Sequence, residues 1–104
     1  MASLVFFDQP NCITQVLSPG DTAWHQITVP TAVIQNNAPN VTAAFCALGA
    51  SGAAGTVLVD FDHATAPSVG FPVLSGTTIV IARKNNYWYK TLTSGDSLYI
   101  LWSF

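Results

Sequence analysis

The chain has 104 residues, half of them hydrophobic, and only eight charged side chains: five Asp, two Lys and one Arg. Globular domains usually carry about 25% charged residues, so the 8% found here is a large deficit. This length predicts one domain over residues 1–104. Three basic residues and a net charge of −2 argue against a nucleic-acid partner. No apolar run approaches the roughly 18 residues of a membrane-spanning helix, so no membrane is expected either.

The charge deficit suggests that much of the surface is not meant for water. A homo-oligomer, or a subunit embedded in a larger assembly, is the favoured explanation, and a monomer solubilised by Ser, Thr and Asn is the alternative. The N-terminus lacks the positive residues of a signal peptide. We therefore expect Cys12 and Cys46 to be buried thiols, with a disulfide between them as the alternative.

Short apolar segments alternate with turn signals along the whole chain, the pattern of a sandwich or barrel. Strands are predicted at residues 3–7, 12–17, 23–29, 41–48, 56–62, 71–74, 77–82, 87–92 and 97–104. Residues 41–48 also fit helical spacing, but eight residues are short for a helix and the neighbouring segments are β-like. Residues 32–35 are too short to assign, and residues 83–86, the one charged cluster, are predicted to form a hairpin tip. No other segment has a convincing helical pattern.

The strongest strand signal lies within residues 55–74, around which the rest of the chain is organised. Alternation predicts that one face of the first strand is apolar and packs in the core: Val57, Val59 and Phe61. The opposite face turns from apolar to acidic along its length: Leu58, Asp60 and Asp62. A turn and a second short strand at residues 71–74 follow.

Asp60, Asp62 and His63 form the most site-like cluster of the sequence. Oxygen ligands at alternate positions of a strand can bind a hard cation, and paired carboxylates can serve acid–base chemistry. However, calcium prefers six or more oxygens, and no second catalytic set accompanies the two carboxylates. We interpret the cluster as the polar end of a core strand and its turn. We expect no metal, no cofactor and no catalytic residue, and pairing of either cysteine with His25 or His63 lacks any local motif.

The last segment, residues 97–104, is apolar on both faces. Tyr99 and Leu101 lie on one side, and four residues share the other: Leu98, Ile100, Trp102 and Phe104. Such a strand is either central in a two-layer fold or covered by another subunit.

The aromatic run at residues 87–89 follows the charged cluster and fits a protein interface, a core or a glycan site, since aromatic residues are enriched at interfaces. Interface roles are predicted for six aromatic residues: Phe6, Phe7, Tyr87, Trp88, Tyr99 and Trp102.

The run TVLVDFDHATAPSVGFPVLSGTTIVI and the ending KTLTSGDSLYILWSF resemble small virion proteins of tailed bacteriophages. The resemblance covers about residues 24–104 and consists of strand and turn positions, so it transfers no functional residue. It implies a β-sandwich subunit of the capsid surface or tail that acts by assembly.

The sequence thus predicts an all-β, jelly-roll-like single sandwich of about eight strands. The expected function is non-enzymatic: a capsid decoration or cement protein in the virion, made in the host cytoplasm. Its expected partners are itself, as a homotrimer, and a major capsid protein. A glycan- or receptor-binding module of a phage tail, using the hairpin at residues 86–89, is the alternative.

Overall fold

The computed structural model describes residues 12–36, 41–49 and 55–104. The predicted strand at residues 3–7, with Phe6 and Phe7, lies outside these ranges. The described residues form eight strands and one short helix: β1 Cys12–Leu17, β2 His25–Gln26, α1 Thr31–Asn36, β3 Thr42–Leu48, β4 Thr56–Phe61, β5 Phe71–Leu74, β6 Thr78–Ala82, β7 Tyr87–Thr91 and β8 Ser97–Ser103.

The strands form two four-stranded sheets, which we call sheet A (order β1-β8-β3-β6) and sheet B (order β2-β7-β4-β5). All neighbouring strands are antiparallel: the first strand pairs with the eighth, the second with the seventh, the third with the sixth and the fourth with the fifth. This nesting arises when one long antiparallel ribbon is rolled into two layers, and it defines the jelly roll. The predicted all-β sandwich of about eight strands is confirmed.

The core lies between the two sheets and follows from the alternation of the strands. Val57 and Val59 of β4 are fully buried, as predicted, and so are Leu98, Ile100 and Trp102 of β8. Aromatic rings fill the centre, because their large apolar area stabilises a thin two-layer core. Rings within 6.2 Å of one another connect the two sheets: Trp102, Tyr87, Phe45 and Phe61.

Residues 41–48 form strand β3, as the sequence favoured, and β8 lies between β1 and β3 at the centre of sheet A. The second strand is shorter than predicted, since only His25–Gln26 pairs as a strand, although the amide of Ile27 still donates to the carbonyl oxygen of Tyr87 at 2.8 Å.

Three predictions need correction. Residues 31–36, whose sequence pattern is too short to assign, form helix α1, and Val33 of this helix is buried against the core. Residues 83–86 are not a hairpin tip, because β6 belongs to sheet A and β7 to sheet B. Cys12 and Cys46 are free thiols, but Cys12 is exposed and Cys46 half-buried, so neither is fully buried as expected.

Candidate interaction surface

The outer face of sheet A carries no charged side chain. None of its four strands contains Asp, Glu, Lys, Arg or His. We call this surface the uncharged face, and alternation assigns fourteen residues to it: Cys12, Thr14, Val16, Thr42, Ala44, Cys46, Leu48, Thr78, Val80, Ala82, Ser97, Tyr99, Leu101 and Ser103.

Large apolar side chains of this face are open to solvent. The exposed fraction is 65% for Val80, 51% for Val16, 46% for Leu48, 43% for Leu101 and 37% for Tyr99. Single exposed apolar residues are ordinary on a protein surface. Five of them on one uncharged sheet face form a contiguous patch, which typically marks an interaction surface.

Sheet B differs in this respect. Its strands contain His25, Asp60 and Lys90. The other His, Asp, Lys and Arg residues of the described segments lie in the connections between strands: Asp21, Asp62, His63, Arg83, Lys84 and Asp96. His25 is opposite the buried Tyr89 and faces the inner side, whereas Asp60 and Lys90 lie on the outer face of sheet B. The sandwich therefore has an uncharged face on sheet A and, on the opposite side, a charged face with Asp60 and Lys90.

The six predicted interface residues fall into three groups. Tyr99 lies on the uncharged face, while Phe6 and Phe7 are outside the described residues. Tyr87, Trp88 and Trp102 are buried within the subunit, with Trp102 completely inaccessible. We therefore assign these three rings to packing within the subunit, because Trp102 has no accessible surface and Tyr87 and Trp88 keep only 2% and 9%.

Sequence reasoning overlooked most of the uncharged face, including Val16, Leu48 and Val80. The signal that would have found it is the absence of charge from four particular strands. That signal becomes useful only when the strands are known to belong to the same sheet.

The connection at residues 62–70 folds back over the outer face of sheet B and borders an open groove. The imidazole of His63 pairs with the carboxylate of Asp60, and its carbonyl oxygen accepts a hydrogen bond from Nε1 of Trp88 at 2.7 Å. At the other end, a Cβ added to Gly70 would come within 2.5 Å of Cη2 of Trp24. The loop is thus held against the sheet at both ends.

Asp62 connects this loop to residues 83–86. Its Oδ1 accepts a hydrogen bond from the amide of Asn85 at 2.7 Å, and its own amide donates to the carbonyl oxygen of Asn86 at 3.0 Å. Asp62 has a φ of 63°, a left-handed conformation that Asp tolerates better than most residues. Asp60 and Asp62 therefore point to different partners and brace two connections.

Both histidines pair with an aspartate. Nε2 of His25 lies 2.7 Å from Oδ1 of Asp21, and this hydrogen bond, supported by the amide of Ala23, holds the pKa of Asp21 below its usual value. Cys12 and Cys46 lie on the other sheet, on the uncharged face. Within the described segments there is no group of three or more His, Cys, Asp or Glu side chains that could hold a metal ion.

A small cavity of about 190 Å³ lies between α1 and residues 83–85. The residues that line it include Val33, Val41, Trp102 and Arg83. Beside it, burial raises the pKa of Tyr87, although the amide of Lys84 donates to the phenol oxygen at 2.9 Å and opposes the shift. The cavity thus lies between the core and the connection at residues 83–85.

Comparisons of the chain with protein-family models, with curated proteins and with solved structures find no match in any of the three. In the part of the chain that the structure describes, no helix is long and apolar enough to cross a membrane. The uncharged face is therefore the feature from which a function can be argued.

Proposed function

We propose that this protein is a non-enzymatic structural subunit of a viral particle, a decoration or cement protein on the capsid of a tailed bacteriophage. Its partners in this proposal are further copies of itself and a major capsid protein, and its location is the virion. The observation that carries the proposal is the uncharged face, with five large apolar side chains exposed by 37 to 65%.

In an isolated subunit the exposed apolar side chains of this face are in contact with water. Burying about 400 Å² of apolar surface contributes on the order of 10 kcal/mol before the costs of association are subtracted. The centres of protein interfaces are depleted of charged residues, as this face is. A protein whose surface is built in this way gains free energy by assembling, which is how a cement protein reinforces a shell.

The fold is compatible with this proposal without deciding it. Double-sheet jelly rolls occur in viral capsid proteins and also in lectin domains, and a fold alone does not specify a function. The charge distribution and the resemblance to small virion proteins favour the capsid role.

Co-sedimentation with particles tests the proposal. Purified protein is mixed with expanded capsids of the virus whose genome carries the gene, and the capsids are pelleted and heated. We expect saturable binding and a higher temperature of capsid disruption. Absence of the protein from purified virions, together with no binding to capsids, would overturn the proposal.

The open groove on sheet B favours a second candidate, a glycan- or receptor-binding module. Phe71 is 58% exposed at the groove, next to Asp60 and His63. An exposed ring beside hydrogen-bonding groups suits a sugar, whereas the hairpin at residues 86–89 that the sequence suggested has its three aromatic rings buried. Titration with a panel of sugars, followed by tryptophan fluorescence, tests it because Trp24 and Trp88 contact the loop. No quenching with any sugar would exclude this candidate.

A further inference from the structure

We propose that the uncharged face pairs with the same face of a second copy, around a two-fold axis that runs parallel to the strands between β8 and β3. The inference names the partner of this face and rests on the proposed function only for its biological setting. Three features of the face support this pairing: its relief, its lack of charge and its area.

The two central strands of the face combine large and small side chains in three of their four rows. Across the β8–β3 register, Leu101 is opposite Ala44, Tyr99 is opposite Cys46, and Ser97 is opposite Leu48. In each of these three rows one strand carries a large side chain and the other a small one, and in the fourth row Ser103 is opposite Thr42, both of them small. Near the centre, the large side chains Leu101 and Tyr99 make β8 a ridge, and the small Ala44 and Cys46 make β3 a trough. In the last row the large side chain, Leu48, belongs to β3 and the small one, Ser97, to β8.

The two outer strands follow the same rule. Thr14 of β1 lies in the row of Leu101, and Val80 of β6 lies in the row of Ala44. In the next row Val16 of β1 accompanies Tyr99, and Thr78 of β6 accompanies Cys46. Each of these two rows has one β-branched apolar residue and one threonine on its outer strands, and the row of Ser103 and Thr42 has the small residues Cys12 and Ala82 there.

With a two-fold axis along the strands, the ridge of one copy fits into the trough of the other, so the face is complementary to itself. Such a rotation places β8 of one copy over β3 of the other, and β1 over β6, without moving any residue out of its row. Leu101 of each copy then lies over Ala44 of the other, and Leu48 lies over Ser97. An axis across the strands would instead stack β8 on β8 and set ridge against ridge. Stacked sheets pack about 10 Å apart and about 30° from alignment, so the match is closest near the axis.

Charge and area are both consistent with a second copy. A two-fold interface brings a surface against itself, and a face without charge meets no like charge when it does so. A standard interface buries about 800 Å² with 20–30 residues on each side. At that ratio fourteen residues bury about 370–560 Å² per copy and about 750–1,100 Å² in total, the size of a weak interface that associates at micromolar concentrations.

The pairing also suggests how a cement protein would act. Two copies joined through their uncharged faces turn their B sheets outward in opposite directions. Each pair then offers two identical charged faces, one to each of two neighbouring capsomers. A dimer replaces the trimer expected from the sequence as the smallest unit.

Light scattering during gel filtration, over about 1–100 µM in which small interfaces associate, tests the pairing. We expect the wild-type protein to be a dimer at the upper concentrations. L101K places a charge on each side of the interface and is expected to be monomeric throughout. The matched control is L74K, which changes a leucine exposed by 53% on β5 of the other sheet and is expected to dimerise like the wild type.

A size swap on the same row tests the relief itself. A44L adds apolar surface, so a merely adhesive patch would associate more strongly. In the proposed pairing it sets the enlarged side chain against Leu101 of the other copy, and overpacking is expected to weaken the dimer about tenfold or more. The double variant A44L/L101A restores large against small and is expected to recover the dimer. Circular dichroism confirms that each variant is folded.

Four outcomes would each overturn the pairing. The wild type could be a monomer at about 100 µM or a trimer, L74K could dissociate the dimer as strongly as L101K, or A44L could associate more tightly than the wild type. These outcomes are independent of the capsid experiment. A monomer that binds capsids overturns the pairing alone, whereas a dimer that is absent from virions overturns only the proposed function.

Discussion

Substitution of Gly70 by alanine tests how the loop at residues 62–70 is held. A Cβ at this position would lie 2.5 Å from Cη2 and 3.2 Å from Cζ2 of Trp24, and 2.9 Å from Cβ of Leu58. The indole can rotate away, but Cβ of Leu58 is attached directly to the backbone of β4 and cannot move alone. Gly70 is outside the left-handed region, so the cost comes from contact and not from backbone conformation.

Overpacking of this kind costs about 1–3 kcal/mol. For a domain of this size that corresponds to a fall in melting temperature of roughly 5–15 °C. Urea unfolding of G70A, followed by circular dichroism, measures the free energy of unfolding directly. The wavelength of the Trp24 fluorescence emission should also shift, because the indole ring must move away from residue 70.

A double-mutant cycle separates the two contacts. In a W24A background, G70A meets only the Cβ of Leu58, so its cost should fall by about 1 kcal/mol, within the usual range of coupling between residues in contact. If G70A loses less than about 0.5 kcal/mol, the amount expected of a neutral surface change, the packing of indole on glycine described above is incorrect.

Three further predictions concern the core and the bracing residues. W102A removes a fully buried indole and should lower the free energy of unfolding by about 3–5 kcal/mol or prevent folding. Q15L removes only the acceptor of the 2.9 Å hydrogen bond from Nε1 of Trp102 and should lower it by about 1–3 kcal/mol. Urea unfolding measures both changes. Burial raises the pKa of Tyr87 in the folded state, so the unfolded chain loses this proton first. The free energy of unfolding should therefore be intact below about pH 10, the ordinary pKa of tyrosine, and fall above it, and Y87F should reduce that loss; an equal loss in Y87F would contradict the assignment. D62A should lower the free energy of unfolding by about 1–2 kcal/mol, because it removes the acceptor of the hydrogen bond from Asn85 and places alanine in a left-handed conformation. Asparagine tolerates that conformation, so D62N should lose less stability than D62A when both are melted in parallel.

The strands themselves could be predicted because alternation is a local signal. The inward face of β4, with Val57 and Val59, and both faces of β8 follow from the sequence alone. Helix α1 was missed because six residues carry too little periodicity, and its formation depends on burying Val33 in the core.

Pairing between distant strands could not be predicted in the same way. A turn sequence such as residues 83–86 does not reveal whether the next strand returns to the same sheet or crosses to the other one. The burial of Trp88 is a similar case. Its ring lies on the outer face of β7 and would be exposed, except that the loop carrying His63 covers it. Local sequence cannot specify such a contact between residues 25 positions apart.

The uncharged face illustrates the same limit on a larger scale. The lack of charge was visible in the composition and suggested that some surface is special. Its position required the order of the strands in sheet A, which brings four separate segments together. Only Tyr99 among the predicted interface residues belongs to it, because the prediction selected large aromatic residues and these mostly fill the core.

The central position of the last strand has a consequence for how the protein folds during synthesis. β8 lies between β1 and β3, and Cys12 pairs with Ser103, 91 positions later in the chain. Sheet A therefore cannot close until β8 has left the ribosome, and until then β1 and β3 have no partner between them. Topologies dominated by such distant contacts fold slowly and expose apolar segments on the way. The four strands without charged residues are then the ones most in need of protection in the nascent chain.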